Sequence, residues 1–369
     1  MNIILTGTTG TLGSQILYEL LQHEGVEDIC LLIRDKTDKT ALSRLLEVLK
    51  CDNAPSAVSG HVDEHLKKIQ VINQHNFFSP ERFLLKGKGY CFIHSASIVN
   101  LSTNPARREK ILNENLGFTK KLFSAFSGYI SKFTYISTAF CIGDVGGTID
   151  NDYHAPDKTP NYRNFYEESK YLTEKYVLEQ GRTLGIPVQI LRPSVLGGNI
   201  YEENKYFVSK YMVYYLAGKF FNINPLKESN SFRMTVNFES GLNIIPVDYT
   251  AKVIVAALDK DIEQMNIANS ENTDIVKGAT RILNAVDYDD VTFIDTKGNG
   301  VVLEDRNMLE DLYYTKYGVH LNKYLTSKPC EFDTSLQESV MPIPDYDRLG
   351  YVEDTIKYAR ANNFEDMTW

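Results

Sequence analysis

A tyrosine and a lysine four residues apart could together perform acid–base chemistry. Tyr166 and Lys170 occur in the segment YEESK of a predicted helix, and a spacing of four places both on one helix face. An ammonium beside a phenol favours the phenolate and lowers the tyrosine pKa, and the pair could protonate a carbonyl oxygen as hydride arrives. The pattern alone is weak, because Tyr171 and Lys175 repeat the same spacing. The Ser-Lys dipeptide that completes YEESK favours Tyr166.

Two hydroxyl groups form a second candidate feature. The apolar run 132–138 is predicted to be a buried strand, and Ser137 and Thr138 stand at its carboxyl end. In a parallel sheet this edge adjoins the ligand crevice, where a hydroxyl could bind a substrate carbonyl and orient the tyrosine. A strand-end pair that only caps a turn is the structural alternative.

Three glycines near the start of the chain predict a phosphate-binding loop. Gly7, Gly10 and Gly13 follow a predicted strand and open a predicted amphipathic helix. The first permits a tight turn, the second lets backbone amides approach a pyrophosphate, and the third allows close helix packing. The helix N-terminus adds free N–H groups and a partial positive charge. Hydroxyl donors are available from Thr8, Thr9 and Thr11.

The end of the second predicted strand bears on the choice of dinucleotide. An acidic residue at this tip would accept hydrogen bonds from the ribose diol of NAD. Here the tip carries Arg34, with Lys36 and Arg44 further along, and a guanidinium suits a 2′-phosphate. Asp35 is adjacent, but strand alternation should turn it away from Arg34. The sequence therefore favours NADP over NAD, with a solvated helix position as the alternative for Arg44.

These groups must be positioned by alternating strands and helices. Short apolar runs separated by helical patterns are typical of a parallel sheet with helices on both faces, so we expect a Rossmann-type, doubly wound α/β fold. The predicted strands are 2–6, 28–34, 68–72, 90–97, 132–138 and 187–194, and the predicted helices include 41–49, 107–126 and about 164–184.

After about residue 198 the pattern becomes mixed. We expect a dinucleotide-binding domain over 1–198, to which 241–260 returns, and a smaller interleaved substrate lobe over 199–240 and 261–369. Within the lobe, the predictions are a helical segment over 199–221, strands over 280–286 and 290–295, a turn at 297–300, and helices near 305–318 and 351–361.

Composition narrows the class of protein. Apolar residues make up 43% and charged residues 24% of the 369 positions, and the formal net charge of −9 argues against a nucleic-acid partner. The five cysteines lack a CxxC pair and the histidines lack ligand spacing, so we expect buried thiols and no metal. With no leader pattern or membrane-span-length apolar run, a cytoplasmic protein is expected.

Seven motifs in order resemble one protein superfamily. GTTGTLG, HSASIVN, NENLGFTKKL, YISTAF, YEESK, LRPSVLGG and IPVDYTA, over roughly residues 1–258, resemble the extended short-chain dehydrogenases/reductases. Within that superfamily, the chain is most similar to the branch of thioester reductases and fatty acyl-CoA reductases, which is also called male-sterility-like.

The resemblance implies roles for individual residues. It assigns Thr138, Tyr166 and Lys170 as catalytic; Thr138 is preferred to Ser137 because it precedes Gly143 by five residues, as in the family. Asp248 is implied to be structural, capping the helix that follows it. The implied cofactor contacts are Gly7, Thr9, Gly10, Thr11, Leu12, Gly13, Arg34, Arg44, Ala96, Ser97, Asn115, Tyr166, Lys170, Pro193, Ser194 and Val195.

The implied activity is NADPH-dependent reduction of an acyl thioester, bound to CoA or a carrier protein, to an aldehyde or alcohol. Two alternatives stay open: a sugar-nucleotide epimerase, dehydratase or ketone reductase of the same fold, and a non-catalytic NADP-binding protein. Gln74 and His75 replace the family's usual Gly-Asp, which puts the adenine contact in question. Four lysines could dock an acidic carrier protein: Lys205, Lys210, Lys219 and Lys227. The alternative is that they only form a solvated helix face.

Overall fold

The core of the protein is a parallel sheet with helices on both faces. In this computed structural model, which describes residues 1–223, 226, 231–298 and 303–369, seven strands pair in the order β12-β7-β5-β4-β1-β2-β3. Every pairing in this sheet is parallel. The chain reverses direction across the sheet between β1 and β4, which is the switch point where doubly wound sheets bind ligands. The predicted Rossmann-type α/β class is confirmed.

The strands of the described residues follow the apolar runs of the sequence, because a sheet covered on both faces buries every side chain of its strands. They are β1 (Asn2–Thr6), β2 (Asp28–Leu32), β3 (Ile69–Ile72), β4 (Tyr90–His94), β5 (Ile130–Ile136), β6 (Gly147–Ile149), β7 (Val188–Pro193), β8 (Val195–Gly197), β9 (Phe232–Val236), β10 (Gly241–Leu242), β11 (Ile244–Pro246), β12 (Gln264–Ile267), β13 (Thr273–Asp274), β14 (Val291–Asp295) and β15 (Cys330–Phe332).

The helices alternate with the strands over the first half of the chain and dominate the second half. They are α1 (Thr11–Gln22), α2 (Ala41–Leu49), α3 (Ser56–Ser59), α4 (Val62–Leu66), α5 (Arg108–Leu112), α6 (Phe118–Phe126), α7 (Phe165–Leu184), α8 (Tyr214–Ile223), α9 (Val247–Ala257), α10 (Ile275–Asn284), α11 (Met308–Lys316), α12 (Gly318–Leu325), α13 (Ser335–Val340) and α14 (Arg348–Ala361).

The second half of the chain builds its own apolar cluster but also returns to the sheet. Helices α8, α10, α11 and α14 contribute buried side chains to this second cluster. Helix α9 instead packs against α1, and its buried residues belong to the cluster formed by the sheet and α1. The second half is therefore interleaved with the sheet, whereas the exact division at residue 198 stays a prediction.

Two elements of the second half differ from the sequence predictions. The strand predicted over 280–286 is wrong: this stretch belongs to helix α10, which buries Ile275, Ala279, Ile282 and Leu283 at helical spacing. Asp274 caps it by accepting a hydrogen bond from the Lys277 N–H at 2.8 Å.

The helix predicted over 199–221 is shorter than expected, because α8 begins only at Tyr214. The preceding loop is held by Asp248 in α9, whose buried carboxylate accepts hydrogen bonds from the backbone N–H groups of Ile200, Tyr201 and Glu202. Asp248 also accepts from the N–H of Tyr249 within its own helix.

Several smaller predictions can be compared with the structure. Four of the five cysteines are buried and all five are unpaired. No helix among the described residues is both long and apolar enough to span a bilayer. Residues 299 and 300 of the predicted turn at 297–300, and Lys227 of the predicted docking lysines, lie outside the described residues.

Candidate active site

The glycine loop between β1 and α1 is tightly packed. Gly7 has a φ of +83°, which suits glycine, and a Cβ there would lie 2.7 Å from the backbone nitrogen of Ala96. A Cβ on Gly13 would lie 2.0 Å from the Gly7 carbonyl oxygen. Gly10 donates a hydrogen bond to that carbonyl at 2.8 Å and precedes the first residue of α1 without a side-chain cap. The first N–H groups of α1 therefore stay available to an external acceptor.

A cavity of about 620 Å³ opens beside this loop. Its volume lies within the range typical of cofactor sites, roughly 300–1,000 Å³. The hydroxyl of Thr8 lies on its wall, buried, with no hydrogen-bond partner among the described residues. The glycine cradle and this unpartnered donor both fit a dinucleotide pyrophosphate. The predicted cofactor residues that line the cavity are Gly7, Thr9, Gly10, Arg34, Arg44, Ala96 and Ser97.

Arg44 links the loop to the tip of β2. Its Nη2 donates to the Thr9 hydroxyl at 2.8 Å, and its Nη1 donates to the carbonyl of Arg34. The side chain is buried, which lowers the Arg44 pKa, and the nearby Arg34 guanidinium lowers it further. The alternative for Arg44, a solvated helix position, does not agree with the structure, because the side chain is buried and lines the cavity.

Asp35 is hydrogen-bonded to Gln74 and to the start of α2, and it is not among the residues that line the cavity. The Asp35 carboxylate accepts hydrogen bonds from the Ala41 N–H at 2.7 Å and from the Gln74 Nε2 at 3.1 Å. The Gln74 Oε1 in turn accepts from the Asp35 N–H at 2.7 Å. Gln74 stands where the family usually has a residue that contacts the adenine. It lines the cavity and is hydrogen-bonded to the carboxylate of Asp35, the residue after Arg34.

Helix α7 presents the tyrosine and lysine. Asn164 caps the helix by accepting from the Glu167 N–H at 3.0 Å, which places Tyr166 in the first turn. Lys170, one turn later, is buried, and its Nζ donates to the Ile136 carbonyl at the end of β5 at 2.7 Å. The same Nζ lies 5.9 Å from the centroid of the Tyr166 ring. The predicted pair therefore shares one face directed at the sheet edge.

The pKa values of the pair differ from the sequence expectation. Burial raises the pKa of Tyr166 above its ordinary value, and only a hydrogen bond with the Ser97 side chain acts in the other direction. Desolvation lowers the pKa of Lys170 to about 8, although the Glu174 carboxylate opposes this. The expectation that Lys170 lowers the tyrosine pKa is not met, because desolvation dominates at this buried position. Tyr166 therefore keeps its phenolic proton at neutral pH.

Asn115 joins the loop after β4 to α7. It lies in a π-helical turn, Asn113–Gly117, which interrupts the helix predicted over 107–126. Its Oδ1 accepts from the Ser97 hydroxyl at 3.1 Å and from the Ile98 N–H at 2.9 Å. Its Nδ2 donates to the hydroxyl of Ser169 at 2.9 Å. This side chain therefore fixes Ser97, and with it the surroundings of Tyr166.

The two candidate hydroxyls lie just beyond β5 in different environments. Thr138 is half-buried and precedes a 3₁₀ turn, Ala139–Ile142, with its Oγ1 accepting from the Phe140 N–H at a long 3.4 Å. Ser137 is buried, and its hydroxyl has no hydrogen-bond partner among the described residues. Both remain candidates, and the family pattern favours Thr138.

The segment Pro193-Ser194-Val195 connects β7 to β8 at the same sheet edge. The Ser194 N–H donates to the Ile267 carbonyl at 2.8 Å, and the Val195 N–H donates to the Asn243 carbonyl at 3.2 Å. The Ser194 hydroxyl is buried without a partner among the described residues. These residues do not border the 620 Å³ cavity. Neither do the other predicted site residues Thr11, Leu12, Gly13, Asn115, Thr138, Tyr166 and Lys170.

Comparison with known proteins identifies the family. The family described as male sterility protein matches residues 5–254, about two thirds of the chain. The chain belongs to the male sterility protein family. This confirms the resemblance predicted from the motifs and makes the protein an NAD(P)-dependent oxidoreductase of the short-chain dehydrogenase/reductase type.

Relatives and solved structures agree with the family assignment. A non-canonical nonribosomal peptide synthetase from Aspergillus campestris is 25% identical over 213 residues, which are 53% of this chain and 19% of the relative. The reductase domain of the aureusimine biosynthetic cluster superposes with a TM-score of 0.69 at 18% identity, covering 98% of this chain and 90% of that one. The UDP-glucuronic acid 4-epimerase of Bacillus cereus, solved with NAD, gives 0.63 at 16% identity over 98% of both chains.

The alternative pair of this male sterility family member is directed elsewhere. The Tyr171 hydroxyl donates to the Tyr153 carbonyl at 3.3 Å, and its ring packs 4.4 Å from that of His154. Lys175 is exposed. The spacing of four alone therefore could not distinguish the two pairs, but their positions in the fold do.

A buried ion pair joins α7 to β7, and it was not predicted from the sequence. Glu174, one turn after Lys170, meets Arg192 of β7, and neither side chain is exposed. The Cys141 thiol donates to Glu174 at 3.1 Å, and His154 bonds its other oxygen at 2.9 Å. The signal was present, because an arginine inside the apolar run of β7 requires a buried partner.

The three docking lysines that the structure describes have different surroundings. Lys219 donates to the Phe364 carbonyl at 3.0 Å, and Lys210 lies on the wall of the 620 Å³ cavity. Lys205 is exposed. Among the described residues, no group of three or more histidine, cysteine, aspartate or glutamate side chains is arranged to hold a metal ion.

Proposed function

We propose that this protein reduces an acyl thioester with NADPH, releasing an aldehyde, or an alcohol after a second hydride transfer. The observation that carries the proposal is the position of Tyr166. It lies in the first turn of α7, one turn before Lys170, which is buried against the end of β5, and the Ser97 side chain, which lines the cavity, acts to lower the Tyr166 pKa. The similarity to a nonribosomal peptide synthetase and to a biosynthetic reductase domain favours a thioester as the substrate.

The residues of the chain account for the proton chemistry of such a reduction. Bound NADPH supplies hydride to the carbonyl carbon. The carbonyl oxygen takes up the phenolic proton of Tyr166, and the Thr138 hydroxyl holds that oxygen by a hydrogen bond. The resulting thiohemiacetal loses its thiol and becomes the aldehyde. The Lys170 ammonium, 5.9 Å from the centroid of the Tyr166 ring, offers a counter-charge to the phenolate left behind until a solvent proton replaces the one donated, although burial keeps the resting pKa of Tyr166 raised.

The cationic end of the cavity supports NADPH rather than NADH. Arg34, Lys36 and Arg44 line it, and a 2′-phosphate would pair with such cations. The Asp35 carboxylate, which could otherwise accept from the ribose diol of NADH, is already bonded by Gln74 and Ala41.

NADPH oxidation tests the proposal against a panel of acyl-CoA, acyl-pantetheine, acyl-carrier, aldehyde and nucleotide-sugar substrates. We expect turnover with at least one thioester, with stoichiometric release of free thiol. Consumption of NADPH only with aldehydes or ketones, or with none of the thioesters, would contradict it. The thiol measurement separates thioester reduction from simple carbonyl reduction.

A second candidate function is a nucleotide-sugar epimerase. The extent of the likeness to the Bacillus cereus epimerase, 98% of both chains, favours it. Such an enzyme recycles its dinucleotide, so it would be purified with bound NAD that does not exchange. Protein that instead exchanges NADPH freely and does not interconvert UDP-sugars would eliminate this candidate.

A further inference from the structure

The segment Asp366–Trp369, called the strap below, lies along the cationic end of the 620 Å³ cavity. It accepts a hydrogen bond from the Tyr211 N–H at 2.9 Å and donates one to the Ser209 carbonyl at 2.8 Å. Trp369 is only 4% exposed and packs into the apolar cluster of the sheet and α1. The strap is therefore an integrated part of the fold that borders the cavity.

The strap carbonyls bind the cations at this end. The Trp369 carbonyl oxygen accepts from the Lys36 Nζ at 2.8 Å and from the Arg44 Nε at 3.0 Å. The Thr368 carbonyl accepts from the Lys39 Nζ at 3.0 Å. One backbone segment thus holds three side chains from the β2–α2 connection and α2.

Arg44 retains donors for a ligand in spite of these bonds. A guanidinium has five N–H groups. Three of them are taken by the carbonyls of Trp369 and Arg34 and the hydroxyl of Thr9. Each terminal nitrogen keeps one N–H without an acceptor among the described residues, and Arg44 lines the cavity. Two N–H groups on one guanidinium can both donate to a phosphate.

The cations crowd each other. Desolvation lowers the Lys36 pKa, and Arg44, Lys39 and Lys210 lower it further. The Glu47 carboxylate pairs with Lys39 at 2.8 Å, but among the described residues no carboxylate forms an ion pair with Lys36, Arg44 or Lys210, so an anionic ligand would balance their charges. The crowding therefore favours a doubly charged ligand at this end of the cavity.

The strap borders the cavity without filling it, because the volume of 620 Å³ is present with the strap in place. We infer that the strap is a specificity element: through the Trp369 carbonyl it positions Arg44 and Lys36 to bind the adenosine 2′-phosphate of NADPH. This inference rests on the proposed coenzyme and assigns Trp369 as a positioning residue.

Removal of Thr368 and Trp369 from the full chain tests the inference by calorimetric titration with NADPH and NADH. We expect NADPH affinity to fall about tenfold and NADH affinity to change less than about twofold, since one charge-assisted contact is weakened. An unchanged ratio of NADPH to NADH affinity overturns the inference. Tighter NADPH binding also overturns it, because it would mean that the strap obstructs the site. A general loss of structure would weaken both dinucleotides alike, whereas loss of positioning would change the ratio of their affinities.

A point substitution covers the case in which the shortened chain fails to fold. Lys36→Met removes one cation held by the strap and should also lower the NADPH-to-NADH affinity ratio severalfold. Lys50→Met, an exposed lysine at the end of α2, is the matched control and should leave the ratio unchanged. Equal ratios in the two variants would contradict the assignment.

Fluorescence provides an independent readout, because Trp369 is the only tryptophan in the chain. Adenosine 2′,5′-bisphosphate carries the 2′-phosphate without a nicotinamide, so it should cause a saturable change in tryptophan emission. Binding of the bisphosphate by calorimetry with no change in emission would remove the strap from the site. If the wild-type protein binds neither dinucleotide, the proposed function fails as well; if it binds NADPH with a ratio insensitive to the strap, only this inference fails.

Discussion

The guanidinium of Arg192 meets both carboxylate oxygens of Glu174, with Nε 2.9 Å from Oε1 and Nη2 2.8 Å from Oε2. The pair joins strand β7 to helix α7 one turn beyond Lys170. Desolvation alone would raise the Glu174 pKa, but the charge of Arg192, the hydrogen bond from His154 and those from Arg192 lower it to about 2. The carboxylate is therefore ionised throughout the working range, and it supports the buried ammonium of Lys170.

Loss of this pair should strongly destabilise the protein. Glu174→Gln leaves the Arg192 charge buried without a counter-charge, so we expect the free energy of unfolding in urea to fall by about 3–5 kcal/mol. Glu263→Gln, which breaks an exposed ion pair with Arg182, is the control and should cost about 0–1 kcal/mol. Similar losses of unfolding free energy in the two variants would show that the buried pair stabilises the protein no more than an exposed one.

The same pair predicts how stability depends on acid. Because the folded pKa of Glu174 lies below its ordinary value of 4.5, its contribution is present above pH 4.5 and is lost as pH falls from about 4.5 to 2. Urea midpoints measured across this range should decline less steeply in Glu174→Gln than in the wild type. Parallel curves would argue against the lowered pKa.

Activity should decline on the alkaline side. Lys170 loses its charge as pH rises through about 8, whereas Tyr166 keeps its proton because burial raises its pKa. We therefore expect kcat/KM for thioester reduction to fall above pH 8 in the wild type. Lys170→Arg keeps the charge at all accessible pH values and should lack this limb, even if its overall rate is lower. A limb unchanged in Lys170→Arg would assign the titration to another group.

The two tyrosine–lysine pairs of α7 allow a matched comparison. Tyr166→Phe removes the proton donor and should lower kcat about 10²–10⁴-fold while NADPH binds with nearly unchanged affinity. Tyr171→Phe removes a hydroxyl that bonds only the Tyr153 carbonyl and should keep most of the activity. Full turnover by Tyr166→Phe would eliminate the proposed chemistry.

Coenzyme choice should respond to Gln74. Gln74→Ala removes both hydrogen bonds between the Gln74 side chain and Asp35 and frees the Oδ2 oxygen of the carboxylate. We expect NADH affinity to rise severalfold, since that oxygen becomes available to a ribose diol. Titration with both dinucleotides checks this, and Asn76→Ala, which removes a bond to Asn73 rather than to Asp35, serves as the control.

Local patterns predicted the parts of the structure that depend on near neighbours. Strands β1, β2 and β4 followed from apolar runs because both faces of this sheet are covered. The turn at Gly7, Gly10 and Gly13 followed from the spacing of its glycines, although the close approach of Gly7 to Ala96 could not be predicted from it. The assignment of the catalytic pair needed the order of motifs along the chain, since Tyr166 and Tyr171 have equivalent local spacing.

Long-range contacts were beyond such patterns. Nothing near Arg44 in the sequence indicates that its Nε binds Trp369, 325 positions away. Likewise, Asp248 holds the backbone of Ile200 and its neighbours across 48 positions, which is why the predicted helix there begins late. Helix α10 was mistaken for a strand because a short apolar run fits both the helical and the strand periodicity, and the Asp274 cap that marks the start of the helix was not considered.

The π turn at Asn113–Gly117 constrains how the chain can vary. An α-helix rotates by about 100° per residue, so deleting one residue here would turn the Asn115 amide away from both Ser97 and Ser169. Loops elsewhere on the surface can gain or lose residues at little cost. Related sequences that retain the Ser97–Tyr166 contact should therefore align through this helix without gaps.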